Sequence, residues 1–451
     1  MLACFFDDGL NYRAIVQQKA FNQQVDYFNY YGLFMSFSKI NFWIEGDIST
    51  TRIMARLLND VTDDQCDTRM LSSVGWSSLV SGVNIFCRSC DPRFAWLPVY
   101  LRKHGIPYAY YLDDNFWKIT GTGELARYYK SAEVVLSLDA FVENASFVIT
   151  HNKTFAEFIN RRFPDVKCEL LPVPFDTSLI RKIAKDLAVK PARDTVVGYA
   201  GGYKEAEFEL LQGVVEQLGK ERPEIRFEFI GGVSDELRSL NNVQWFPGSS
   251  DYSKFLELKM ARNWSVGLAP LMESQFNSSK TNNKFREYGG CGISGIYSNT
   301  TPYVECVVSE RSGLLVDNNV EDWVEAIKRL VDNPSLRETI KQESSRYVEL
   351  THSHDSIMPT WRAALDTISD LPERLMSSRI RFNYVKHYHL SGMSRVAKKM
   401  EGATAATIYG FVLKGKFKSL LNKIPVRKII KVSAFFILIA AGFYLLKAGV
   451  M

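Results

Sequence analysis

Short apolar runs alternate along most of the chain with longer stretches whose apolar residues recur at helical spacing. INFWI (Ile40–Ile44), VNIFC (Val83–Cys87), YAYYL (Tyr108–Leu112), FVIT (Phe147–Thr150) and CELL (Cys168–Leu171) read as strands. Residues 49–59, 95–104 and 153–163 read as helices between them. Strands separated by helices of roughly 10–15 residues predict a parallel sheet with helical crossovers. Prolines and charges then interrupt the pattern over residues 172–194, from PVPF to KPARD, and this stretch reads as a linker. A second run follows, with strands at TVVGYA (Thr195–Ala200), RFEFI (Arg226–Ile230), VQWF (Val243–Phe246), SVGLA (Ser265–Ala269), GISGI (Gly292–Ile296) and GLLV (Gly313–Val316). Its helices are predicted over 205–222, 252–263 and 283–288, and from about 320 and 335.

The fold class is therefore α/β, with two doubly wound Rossmann-like domains in tandem. Ligands of open α/β sheets bind beyond the carboxyl ends of the strands, so both domains are expected to face one cleft. The predicted domains are 1–185 and 190–350, with a closing helix over 351–373 and a tail over 374–451.

Charge sets the tail apart. From Arg374 to Met451 there are 15 Lys and Arg against one acidic residue, Glu401, whereas the preceding body holds 40 basic and 49 acidic residues. Such a split implies an anionic partner for the tail. Val432–Leu446 is an uncharged run between Lys431 and Lys447. At ~1.5 Å per residue it reaches only about 22 Å, short of a bilayer core of about 30 Å, so it either just spans, with its lysines snorkelling, or lies in the interface. A basic segment beside an apolar one suits anionic membrane lipids. Nucleic acid is not expected, because the tail lacks organised aromatic stacking platforms. The seven cysteines are odd in number and mostly sit in apolar runs, which fits a reducing compartment. Cys87 and Cys90 form an isolated CxxC and read as buried thiols, not a metal site. The N-terminus MLACFFDD meets Asp7 and Asp8 too early for a signal-peptide core.

The densest chemistry lies in LAPLMESQFNSSKTNNKFREYGGCGISGI (Leu268–Ile296). Lys280, Lys284 and Glu287 are spaced to share one helix face at a loop-to-helix junction. Two cations beside free backbone N–H groups suit a diphosphate, and a carboxylate one turn on can accept from two ribose hydroxyls. A surface helix with a Lys–Glu pair fits the spacing equally. GYAGGYKE (Gly198–Glu205) runs a strand through Gly201 and Gly202 into a helix, where the backbone can approach a phosphate, with Lys204 beside it. YYLDDNFW (Tyr110–Trp117) places Asp113 and Asp114 at a strand end, as acceptor-side carboxylates or as a cap and a turn. His151, after FVIT, reads as structural.

The order Pro270, Leu271, Phe276, Asn277, Lys280, Lys284, Glu287, Tyr288, Gly292 resembles the donor-site segment of glycosyltransferase family 4 and related bacterial polysaccharide glycosyltransferases. The resemblance spans about residues 39–366. It implies a GT-B fold, a nucleoside diphosphate sugar as donor and no metal or other cofactor. It places Lys280 and Lys284 at the diphosphate, Glu287 at the ribose, Gly201, Gly202 and Lys204 in the donor loop, and Asp113 and Asp114 on the acceptor side. With the tail, it implies transfer to a lipid-linked or glycan acceptor in cell-surface polysaccharide synthesis, at the cytoplasmic face of a membrane. Two departures stand out. Retaining members carry a glutamate where this chain has Ser279, and the small-Pro-Val run common after the last glycine is Ile293-Ser294. The alternatives are a membrane-bound scaffold with a degenerate, non-catalytic glycosyltransferase fold, or a sugar-nucleotide epimerase, against which the tail counts.

Overall fold

The structure is a computed structural model and describes residues 39–187, 195–368 and Lys386. The expected basic tail and its apolar segment 432–446 lie outside the described residues, apart from Lys386. Among the described residues no helix is long and apolar enough to cross a membrane.

The chain forms two parallel six-stranded sheets. The first contains β1 (Ile40–Ile44), β2 (Cys66–Met70), β3 (Val83–Cys87), β4 (Tyr108–Tyr111), β5 (Phe147–Thr150) and β6 (Cys168–Leu170), in the order β2-β1-β3-β4-β5-β6. The second contains β7 (Val196–Gly201), β8 (Arg226–Gly231), β9 (Val243–Phe246), β10 (Val266–Ala269), β11 (Ser294–Ser298) and β12 (Leu314–Val316), in the order β12-β11-β10-β7-β8-β9. Each order reverses once, between β1 and β3 and between β7 and β10. Such switch points open a crevice at the carboxyl ends of the strands.

Strands covered on both faces must be apolar throughout. β1, β4, β5 and β10 are buried at every position. Alternate residues of β1 serve different layers. Trp43 packs with Phe86, Tyr108 and Phe141 on one face; Phe42 and Ile44 pack with Leu57, Ile357 and Trp361 on the other. Ile357 and Trp361 come from the helix His354–Asp366, which thus returns from the second domain to close the first.

The crossing between domains comes earlier than residue 185. Helix Thr177–Asp186 buries Ile180 and Ile183 with Ala200, Leu256 and Phe285 of the second domain, so the chain changes domain at Pro172–Phe175. Four successive carbonyls there are each held by a side chain. Leu171 O accepts from His151 Nδ1 (2.7 Å), Pro172 O from Trp361 Nε1 (3.0 Å), Val173 O from His352 Nδ1 (2.9 Å) and Pro174 O from Arg286 Nη1 (2.8 Å). Burial pulls the His151 and His352 imidazoles down to about 4 and about 3. Both are therefore neutral near pH 7, with Nε2 free to accept from Tyr111 and Asn282. A segment with two prolines cannot supply its own ladder, and these side chains satisfy it instead.

Candidate functional site

The carboxyl ends of the two sheets enclose a cavity of ≈ 400 Å³. Of the residues expected from the sequence, Asp113, Asp114, Gly201, Lys204, Lys280, Lys284 and Glu287 line it. Gly202 does not; it is exposed in the loop beyond.

On the second-domain wall, β7 delivers Gly201 and the polypeptide turns into the helix Glu205–Glu221. A Cβ at Gly201 would come within 2.8 Å of Lys284 Nζ, so glycine lets this ammonium approach the strand end. Lys284 Nζ donates to Ala200 O and sits 4.3 Å from the Tyr199 ring centroid. The turn is braced from beneath by β8, where Gly231 (φ +98°) and Gly232 pack on it and Gly232 N donates to Gly201 O (2.7 Å).

Helix Asn283–Cys291 begins at the cavity and ends on Gly292 in the left-handed conformation (φ +67°), where glycine is the favoured residue. Arg286 ties its first turn down by donating to Asn282 Oδ1 (2.9 Å) and Asn283 Oδ1 (3.2 Å). Lys204 is paired with Glu207 (3.3 Å). Lys280 and Lys284 have no carboxylate within ion-pair distance among the described residues. Burial, then the charge of Lys204, pulls the Lys284 ammonium down to about 7, and the same two causes lower Lys280. Two half-buried ammonium groups lining a cavity without an anion form a site poised to accept one.

Glu287, one turn on, is 4% exposed. Its Oε2 accepts from Lys259, which is fully buried on the helix Tyr252–Ala261, and its Oε1 accepts from the Tyr252 hydroxyl at 3.4 Å. Burial alone would push this carboxyl up. The Lys259 charge and hydrogen bond, with Lys284 and Arg286, outweigh that and hold it below the ordinary range. Neither Lys259 nor Tyr252 stands out in the sequence, because KFLELKMA reads as an ordinary amphipathic helix.

On the first-domain wall, Asp113 and Asp114 follow β4 and are joined by Arg88, at the end of β3. Arg88 Nη2 meets Asp114 Oδ2 at 2.6 Å and stacks on Phe116. Its Nε lies 2.9 Å from Asp113 Oδ1 but off hydrogen-bonding angle, so that contact is Coulombic. Thr50 donates to Asp113 Oδ2 (3.1 Å). Arg88 has φ +53°, a conformation rare for a side chain of this size, and the two carboxylates hold it there. Burial, then the Asp113 charge, pushes the Asp114 carboxyl up against the pull of Arg88, Lys280 and Lys204.

The two walls touch through the segment carrying Lys280. Asn152 Nδ2 donates to Ser278 O (3.1 Å) and Lys280 O (2.9 Å), while Asn115 Nδ2 donates to Ser279 Oγ (3.3 Å). Ser279 is buried and donates to Gln275 O (2.8 Å). Cys87 and Cys90 are buried, with their thiols pushed up by burial. Among the described residues no cluster of His, Cys, Asp and Glu could hold a metal ion.

No protein-family model matches the chain, and no curated protein matches it in sequence. Solved structures do match. HepE from Anabaena, in complex with UDP and glucose, aligns over 73% of this chain and all of its own, with TM-score 0.53 and 12% identity. A glycosyltransferase from Rickettsia africae aligns over 74% of this chain and 99% of its own, with TM-score 0.51 and 13% identity. The chain has the GT-B fold.

Proposed function

We propose that this chain is a glycosyltransferase that moves a sugar from a nucleoside diphosphate sugar to a lipid-linked or glycan acceptor. The observation that carries this reading is the pair Lys280 and Lys284, half-buried on the cavity wall without carboxylate partners among the described residues and followed one turn later by the buried carboxylate of Glu287. HepE, which shares the fold, is seen with UDP and glucose. The diphosphate is assigned to the two ammonium groups, with no metal ion required, and the ribose to Glu287. Negative charge grows on the diphosphate as its bond to the sugar breaks, and preorganised cations in a dry cleft stabilise that charge most. Asp113 and Asp114 face the acceptor hydroxyl from the opposite wall. The basic tail and the segment 432–446 are assigned to anionic lipid at the cytoplasmic face of a membrane, which suits an acceptor of cell-surface polysaccharide synthesis.

The test is calorimetric binding of UDP, GDP, dTDP and their sugars to the full-length protein, beside Lys284→Ala and Glu287→Ala. Selective binding of one nucleotide, weakened at least about tenfold by either change, is the expected result. A folded protein that binds none of them would favour the other reading that Ser279 suggests, a membrane-bound scaffold with a degenerate, non-catalytic fold.

A further inference from the structure

The donor-side carboxylate is presented unevenly. Glu287, which lines the cavity, has its Oε2 bonded to Lys259, while its Oε1 accepts only at 3.4 Å from the Tyr252 hydroxyl, so Oε1 keeps the greater capacity for a ligand. Lys259 itself lies beneath the cavity wall: it is fully buried, its Nζ is 4.5 Å from the Phe255 ring centroid and 5.5 Å from that of Tyr288, and it does not line the cavity. It therefore reaches a bound ligand only through Glu287.

We infer that Lys259 is a positioning residue that makes this site selective for ribonucleotides over their 2′-deoxy counterparts. The inference rests on the donor-site reading above. A buried carboxylate stays ionised only with a paired cation. Ionised, it is an acceptor at both oxygens, and with Oε2 held by Lys259 the carboxylate keeps an orientation from which Oε1 can accept from a sugar hydroxyl. Removing the 2′-hydroxyl from the ligand costs Oε1 that bond and leaves it the long contact with Tyr252, and sites built to bond a hydroxyl discriminate against ligands that lack it. Without Lys259, Glu287 takes up a proton, becomes a donor at one oxygen and loses its fixed orientation. Lys259 reaches Lys284 only at a distance, through its charge, so its removal changes the affinity of both nucleotides alike and that change cancels in their ratio.

The experiment compares UDP with 2′-deoxy-UDP, and GDP with 2′-deoxy-GDP, on the full-length wild type and on Lys259→Met, Glu287→Gln and the double variant, at several pH values. For the base that binds, the wild type is expected to prefer the ribonucleotide by about tenfold or more. Lys259→Met is expected to bring that ratio towards one at neutral pH and to recover it at high pH, where Glu287 ionises again. In the Glu287→Gln background Lys259→Met is expected to leave the ratio unchanged. The double variant, which buries no lone charge, guards against a folding defect being read as a specificity effect. A wild type that binds nucleotides with the expected preference, but whose ratio is the same in Lys259→Met, overturns this assignment and leaves the donor site standing. A wild type that binds dTDP, itself a 2′-deoxy nucleotide, in preference to UDP and GDP also overturns this assignment alone, and one that binds no nucleotide removes both.

Discussion

At the scale of single residues, the site is a matter of which charges are already paired. Lys284 is the sharpest case, because burial and Lys204 bring its ammonium down to about 7. A bound diphosphate must raise it again, so binding takes up a proton whenever Lys284 is partly neutral beforehand. The sign follows. Nucleotide affinity is flat below pH 7 and falls as pH rises above it, by at most about tenfold per unit. Calorimetry at pH 8 in HEPES and in Tris is expected to give different apparent enthalpies for the wild type and equal ones for Lys284→Ala; equal enthalpies in the wild type would mean that this ammonium stays charged throughout. Residues of this kind were legible in part. Lys280, Lys284 and Glu287 announce themselves because they stand close together in sequence, although only Lys284 and Glu287 share the helix and Lys280 lies in the loop before it. Lys259 and Arg88 do not, since each meets its carboxylates only through the fold and nothing local to either distinguishes a buried cation from a solvated one.

At the scale of elements, hydrophobic pattern worked where strands are buried on both faces. β1, β3, β4 and β5 were readable as apolar runs. β2 escaped, because CDTRM lies at the sheet edge, carries three consecutive polar residues and buries none of its positions. Helix Thr177–Asp186 was placed on the wrong side of the boundary, since an amphipathic helix shows that it has a buried face but not which domain covers it. The loop from Gly201 to Lys204 offers a test of the glycines. A Cβ at Gly232 would lie 2.1 Å from Tyr203 N and 2.6 Å from the Gly202 carbonyl carbon, whereas one at Gly202 meets nothing within 4 Å. Backbone cannot yield as a side-chain tip can, and such overpacking typically costs about 1–3 kcal/mol. Gly232→Ala is expected to weaken nucleotide binding about tenfold and to lower the thermal midpoint, with Gly202→Ala close to wild type in both. The reverse order would show that Gly202, singled out from the sequence, is the glycine that matters.

At the scale of the whole molecule, two tandem Rossmann-like halves and a shared cleft follow from the rhythm of strands and helices. Their mutual closure does not, because it depends on single amides meeting backbone across the gap. One flank of the cleft is the crossing at Leu171–Pro174, with every carbonyl occupied. On the domain that does not carry the lysines, Asn152 grips the backbone on either side of Ser279, and so holds the segment that carries Lys280. The domains cannot part here without releasing the segment that carries Lys280 into the cavity wall. Asn152 also caps the helix Lys153–Arg162 by accepting from Phe155 N (2.9 Å), and Asn152→Asp keeps that cap while deleting both amide donors. Stopped-flow measurement is expected to show nucleotide leaving this variant about tenfold faster, with its arrival rate little changed; an unaltered departure rate would disconnect the contact from release. Residence time, and with it the ceiling on turnover, is then set by an amide on the half of the molecule assigned to the other substrate.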